Sequence, residues 1–176
     1  MGGTFYVILA GAITAGVGLG VAYKELRHVS KQLALMEKSA TANFLFELDK
    51  KYDDIFKARE AIGKLEDEVR KQMAVKNLRG EEKFLSEMTN TLAQIKEKDT
   101  ERYYLMKQVF DFCEAVGFFM MRGYIKPDDV YELWGPAIAD WGYWCRLHIS
   151  SRQETEGADV YKYFLLASEE CQKRKG

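Results

Sequence analysis

From Gly2 to Tyr23 the chain carries no charged side chain. Coiled as a helix, a stretch of that length extends roughly 33 Å, about the thickness of the hydrocarbon core of a bilayer. A helix on the surface of a globular domain has one face in water and rarely stays uncharged for so long. No Lys or Arg comes before Lys24, whereas a cleaved signal peptide carries a basic region ahead of its apolar core. Residues 1–23 are therefore expected to form an uncleaved transmembrane helix. Lys24, Arg27 and Lys31 come immediately after it, and the positive-inside rule puts that side in the cytoplasm. The expected topology is a single-pass protein of the inner (cytoplasmic) membrane, with the N-terminus outside and the lipid bilayer as its first partner. Phe5, Tyr6 and Tyr23 suit the two membrane interfaces.

Within that stretch Ala12, Gly16 and Gly20 recur every four residues and share one helix face. Their lack of bulk lets a second helix backbone come close, so they are candidates for helix packing in the membrane. No turn residue separates the apolar stretch from the charged residues after Tyr23. A juxtamembrane helix is expected over 24–51, in which Leu26, Val29, Leu33, Met36 and Ala40 keep a three-four spacing. That is a short heptad seam, suited either to another helix or to the body of the same chain. Together the two segments predict a protein partner or a homo-oligomer.

The remaining residues, 52–176, read as a cytoplasmic helical domain. Only two prolines occur, Pro127 and Pro136, and no segment alternates with period two between turn signals. Asp53 or Asp54 is a candidate cap for a helix striped by Ile55, Ala58, Ile62, Leu65 and Val69. Leu85, Met88, Leu92 and Ile95 stripe the next. A third helix starts at Asp99 or Thr100, is apolar most of the way round and closes at Gly123, which marks it as central. Pro127 suits a first helical position, with Asp128 and Asp129 next to it at the positive end of the dipole. Gly135–Pro136 is expected to break or kink that helix, a further helix to run to about Ile149, and "SSRQETEG" to be a loop before a last amphipathic helix. The fold class is thus all-α, a single N-terminal transmembrane helix continuing into a cytoplasmic helical bundle.

The net charge of −1 gives no general attraction to nucleic acid. Cys113, Cys145 and Cys171 are an odd number at wide spacing and read as reduced thiols, with Cys113 in an apolar run as a small core residue. Glu25 and His28 form one E-x-x-H, whereas a helical di-iron site needs two plus further carboxylates. Cys145 and His148 could share a helix face, but two ligands do not make a zinc site. No phosphate-binding glycine loop and no Ser–His–Asp set occurs. No catalytic residue, cofactor or metal is expected. Arg59, Asp111 and Glu114 are charges on apolar faces, and a buried carboxylate wants a partner, so Arg59 and Glu114 are expected to form a structural ion pair. The aromatic segment offers Trp134, Trp141 and Trp144 with Tyr131 and Tyr143. Trp141, flanked at helical spacing by Ile138 and Cys145, is expected in the core. Trp134, beside the expected break, is expected to be exposed and, with Tyr131 and Tyr143, to form an interaction surface.

The segments "FELDKKYDDIFKAREAI" and "VFDFCEAVGFFMMRGYIKPDDVYELWGPAIADWGYWCRLHI" resemble a bacterial family of unknown function. The similarity spans roughly residues 24–62 and 105–165, around a G-x-I-x-x-x-x-V turn carried here by Gly123, Ile125 and Val130. It implies one N-terminal membrane helix and an all-helical cytoplasmic domain, and no activity. The expected function is a membrane-anchored helical interaction protein, an accessory subunit or scaffold that is not an enzyme. The alternative is a small-ligand sensor or enzyme with a pocket between the central helix and the aromatic segment.

Overall fold

The computed structural model describes the backbone of residues 3–175 and the side chains of residues 26–175. Six helices succeed one another: α1 (Gly3–Asp54), α2 (Phe56–Val75), α3 (Glu81–Lys98), α4 (Thr100–Met121), α5 (Pro127–Glu156) and α6 (Lys162–Lys175). No strand occurs among the described residues, so the all-helical class is observed. The apolar stretch from Gly2 to Tyr23, with Ala12, Gly16 and Gly20, lies outside the residues whose side chains are described. Among the described residues no helix is long and apolar enough to cross a membrane.

The chain divides into two compact units, residues 1–44 and 45–176. In the first, the heptad seam of α1 is open to solvent: Leu26, Val29, Leu33 and Met36 are 69, 49, 60 and 69% exposed. The second begins within α1, whose last residues contribute buried Leu48.

In the second unit α4 is the central element. It packs on α2, α3 and α6, while α5 packs on α3 and α6. The expected stripes are the buried faces of α2 (Ala58, Ile62, Leu65, Val69) and α3 (Leu85, Met88, Leu92, Ile95). Nine residues of α4 are buried, from Tyr103 to Met120, and they occupy most of its circumference. Asp99 caps α4 by accepting from the Arg102 N–H at 3.0 Å. Gly123, at φ 75°, ends it, with its N–H on the Met120 carbonyl and that of Tyr124 on Phe119. Pro127 opens α5, where its missing N–H is no loss.

Close approach of α6 rests on two glycines. A Cβ at Gly117 would overlap the carbonyl oxygen of Tyr163, and one at Gly142 would overlap Ser168.

Three expectations about helix ends are corrected. Neither Asp53 nor Asp54 caps α2: α1 runs through both, Ile55 holds the cap position with no side-chain bond, and Asp53 lies instead 3.7 Å from Arg59. Gly135–Pro136 does not break α5, which continues to Glu156. Proline frees the carbonyl four residues back, at Glu132, and both residues are exposed, where water is within reach of that group. "SSRQETE" is likewise helix, braced by Arg152 on Glu156 and by the Thr155 hydroxyl on the Ser151 carbonyl at 3.1 Å. The stop comes at Gly157, whose φ is 120°.

Candidate functional site

Because α5 is unbroken, its aromatic residues separate by helical phase into two environments. Trp134 and Trp141, seven apart, face inward and are 1 and 8% exposed. Trp134 stands edge-on to Phe112 at 5.5 Å between ring centroids and 89° between planes. Tyr52, from the end of α1, lies 5.4 Å from Phe112, 6.4 Å from Trp134 and 6.3 Å from Trp141. Trp134 also donates its indole N–H to Asp49 at 3.1 Å. Trp141 is in the core as expected. Trp134 is not the exposed member, and the reason is the missing break at Pro136. Tyr131 is half-buried, with its ring against Gly135.

Arg59 and Glu114, expected as an ion pair, have different partners. The Arg59 guanidinium lies 3.9 Å above the Tyr52 ring and 3.7 Å from Asp53. Its Nε is buried without a hydrogen bond, a residual cost offset by the aromatic face. Glu114 accepts the Phe164 N–H at 2.7 Å and so serves the first turn of α6. Burial raises its carboxyl above the usual range, and backbone N–H groups of Phe164 and Tyr163 oppose that rise. A helix N-terminus satisfies a carboxylate as a cation would, and sequence separation gives no sign of which is used.

Farther round α5, Tyr143 and Trp144 are half-buried and border a cleft of about 700 Å³. Its other wall is the end of α2 and the turn into α3, with Arg70, Met73, Asn77, Arg79 and Phe84. No residue of α4 lines it, so this cleft is not the one expected between the central helix and the aromatic segment. The turn is fixed by two left-handed residues, Asn77 at φ 53° and Gly80 at φ 98°. Arg70 is held by Glu66 at 2.7 Å and lies 4.9 Å from the centre of the Phe84 ring. Glu81 accepts from Tyr143 and pairs with Arg146 at 3.3 Å, contacts that lower its carboxyl pKa. Arg146 in turn covers the Tyr143 ring at 4.2 Å.

A buried polar chain runs elsewhere between α4 and α5. His148 is buried, and its Nε2 lies 3.2 Å from the Tyr103 hydroxyl. Arg152 donates to that same oxygen at 3.3 Å, which leaves the hydroxyl hydrogen for Nε2. Burial, with Arg152 and Lys96 nearby, pulls the imidazole down to about 4. Arg152 and Lys96 both bind Glu156 and bring its carboxyl to about 2. Asp111, the third charge on an apolar face, accepts from Tyr161 at 3.0 Å and from Lys107. Cys145 is buried, and burial pushes its thiol up to about 12, away from nucleophilic use. His28 meets Gln32 at 3.1 Å. No group of three or more metal-ligating side chains occurs among the described residues.

Comparison of the chain with family models, with curated proteins and with solved structures gives no match.

Proposed function

We propose that the chain is a membrane-anchored helical interaction protein, an accessory subunit or scaffold without catalysis of its own, that self-associates through α1. One observation carries this reading: Leu26, Val29, Leu33 and Met36 form an apolar seam at heptad spacing and are all exposed. An apolar stripe of that kind is stable in water only when a second helix covers it. The occupant is a second copy of the chain in parallel. Two copies anchored by the same uncharged N-terminal stretch enter the cytoplasm in the same direction. The residues beside the seam, Ser30, Gln32 and Glu37, bring no cation against cation, while Lys31 and Lys38 fall on the outer face. Ala12, Gly16 and Gly20 extend the same association into the bilayer. The resemblance to the bacterial family with one membrane helix agrees with this arrangement.

Two measurements on the full chain in native membranes test it. The protein should stay in the pellet on carbonate extraction, with a reporter at Gly176 on the cytoplasmic side; release of full-length protein refutes the anchor. Leu26→Cys should cross-link copies under mild oxidation, and Lys31→Cys, on the outer face, should not. Equal cross-linking of the two, or none, refutes self-association along the seam.

A further inference from the structure

The cleft beside Tyr143 and Trp144 belongs to the second unit and needs nothing from the membrane stretch. Its volume, about 700 Å³, lies within the usual range of small-ligand sites. Two guanidiniums line it, and they differ. Arg70 is already balanced by Glu66 and braced on Phe84. Arg79 has no hydrogen-bond or ion-pair partner among the described residues. The one carboxylate in the lining, Glu81, is taken up by Tyr143 and Arg146 and is not free to neutralise it. Among the lining residues two arginines, Arg70 and Arg79, thus stand against one carboxylate, Glu81, leaving one positive charge over. Beside that charge stand Tyr143 and Trp144, half-buried, with Met73 and Phe84 as an apolar floor.

We propose that this cleft binds a small planar aromatic anion, one or two fused rings bearing a carboxylate, sulfonate or phosphate. The ring lies against Trp144 and Tyr143, and the anionic group meets Arg79, with Arg70 as the second donor. Guanidinium suits such a group because its planar fork matches paired oxygens. A cationic ligand would face the surplus charge. An aliphatic acid would satisfy Arg79 but leave the aromatic wall uncovered. The left-handed turn at Asn77 and Gly80 sets Arg79 at the rim.

The test is a titration of the full-length protein, labelled at its methionine methyl groups, with 2-naphthoate. The Met73 methyl signal, in the cleft floor, should shift, and those of Met88 and Met106, buried in the core, should not. Affinity for 2-naphthoate should exceed that for neutral 2-naphthalenemethanol and for cyclohexanecarboxylate at least tenfold. Arg79→Gln, at an exposed position, should weaken naphthoate at least fivefold and leave the alcohol unchanged. Lys83→Gln, a nearby cation outside the cleft, should do neither. An unmoved Met73 signal, equal affinity for acid and alcohol, or equal effects of the two charge removals would each overturn the proposal.

Discussion

Trp134 and Asp49 join the end of α1 to the first third of α5 through one hydrogen bond of 3.1 Å. The bond is short-ranged in space and long-ranged in sequence, and Tyr52, with its ring 6.4 Å from that of Trp134, adds to the contact.

Trp134→Ala should therefore cost about 3–5 kcal/mol, the range for emptying a large buried aromatic site. Trp134→Phe keeps most of the packing and orphans the Asp49 carboxylate at a partly wet position, so the loss should be about 1 kcal/mol. Thermal melting of the full chain distinguishes the two. An alanine variant that melts like the parent would restore Trp134 to a binding surface.

The double-mutant cycle of Arg59→Gln and Glu114→Gln should give a coupling energy within about 0.5 kcal/mol of zero, since the two side chains have separate partners. Glu114→Ala alone should cost about 1–2 kcal/mol, as loss of a helix cap does. Denaturant titration measures both; coupling above about 1 kcal/mol would mean that they pair after all.

Two glycine-to-alanine changes should have opposite signs. Gly117→Ala drives a methyl group into the Tyr163 backbone, which cannot rotate aside, and should destabilise by about 1–3 kcal/mol. Gly63 lies exposed inside α2 with open space where its Cβ would be, so Gly63→Ala should stabilise by roughly 0.5–1 kcal/mol. The difference in melting temperature between the two variants reads this directly.

Acid should weaken the fold through His148. Its pKa is about 4 in the folded chain, against an ordinary value of 6.5. The unfolded chain therefore binds the extra proton first as pH falls. Stability is intact above about pH 6.5, declines between there and pH 4, and has no further loss from this residue below that. The full change is about 3 kcal/mol. His148→Gln should flatten this part of the stability–pH curve; an unchanged slope would show that another group carries it.

Much of the helical plan was legible because it arises from local signals. Asp99, Gly123 and Pro127 act through their own backbone neighbours, and the stripes of α2 and α3 repeat at the period of the helix itself. The misreadings share a different cause. Pro136 breaks a helix only if the freed Glu132 carbonyl cannot reach water, and its exposure is a property of the assembled fold. The exposure expected of Trp134 rested on that break and failed with it. Opposite charge alone suggests pairing Glu114 with Arg59, but a helix N-terminus and a tyrosine face compete for the same groups. The cleft had only half a signal, Tyr143 and Trp144. Its other half lies in the turn from α2 to α3, where Asn77 and Gly80, residue types that readily take positive φ, signal the end of α2 but not which side chains of the turn will meet Tyr143 and Trp144.

The three free thiols sit one on each of α4, α5 and α6, all buried, and the Cys113 thiol, raised chiefly by burial, is raised further by its neighbours Cys145 and Cys171. A reagent that attacks only thiolate in water cannot reach them while these helices stay together, so each cysteine is a stopwatch for the opening of its own helix. Modification of Cys171 ahead of Cys113 and Cys145 would mean that α6 lifts off while α4 and α5 remain paired. Simultaneous modification of all three would mean that the domain opens as one body. The protein thus carries, without any engineered label, a record of the order in which it comes apart.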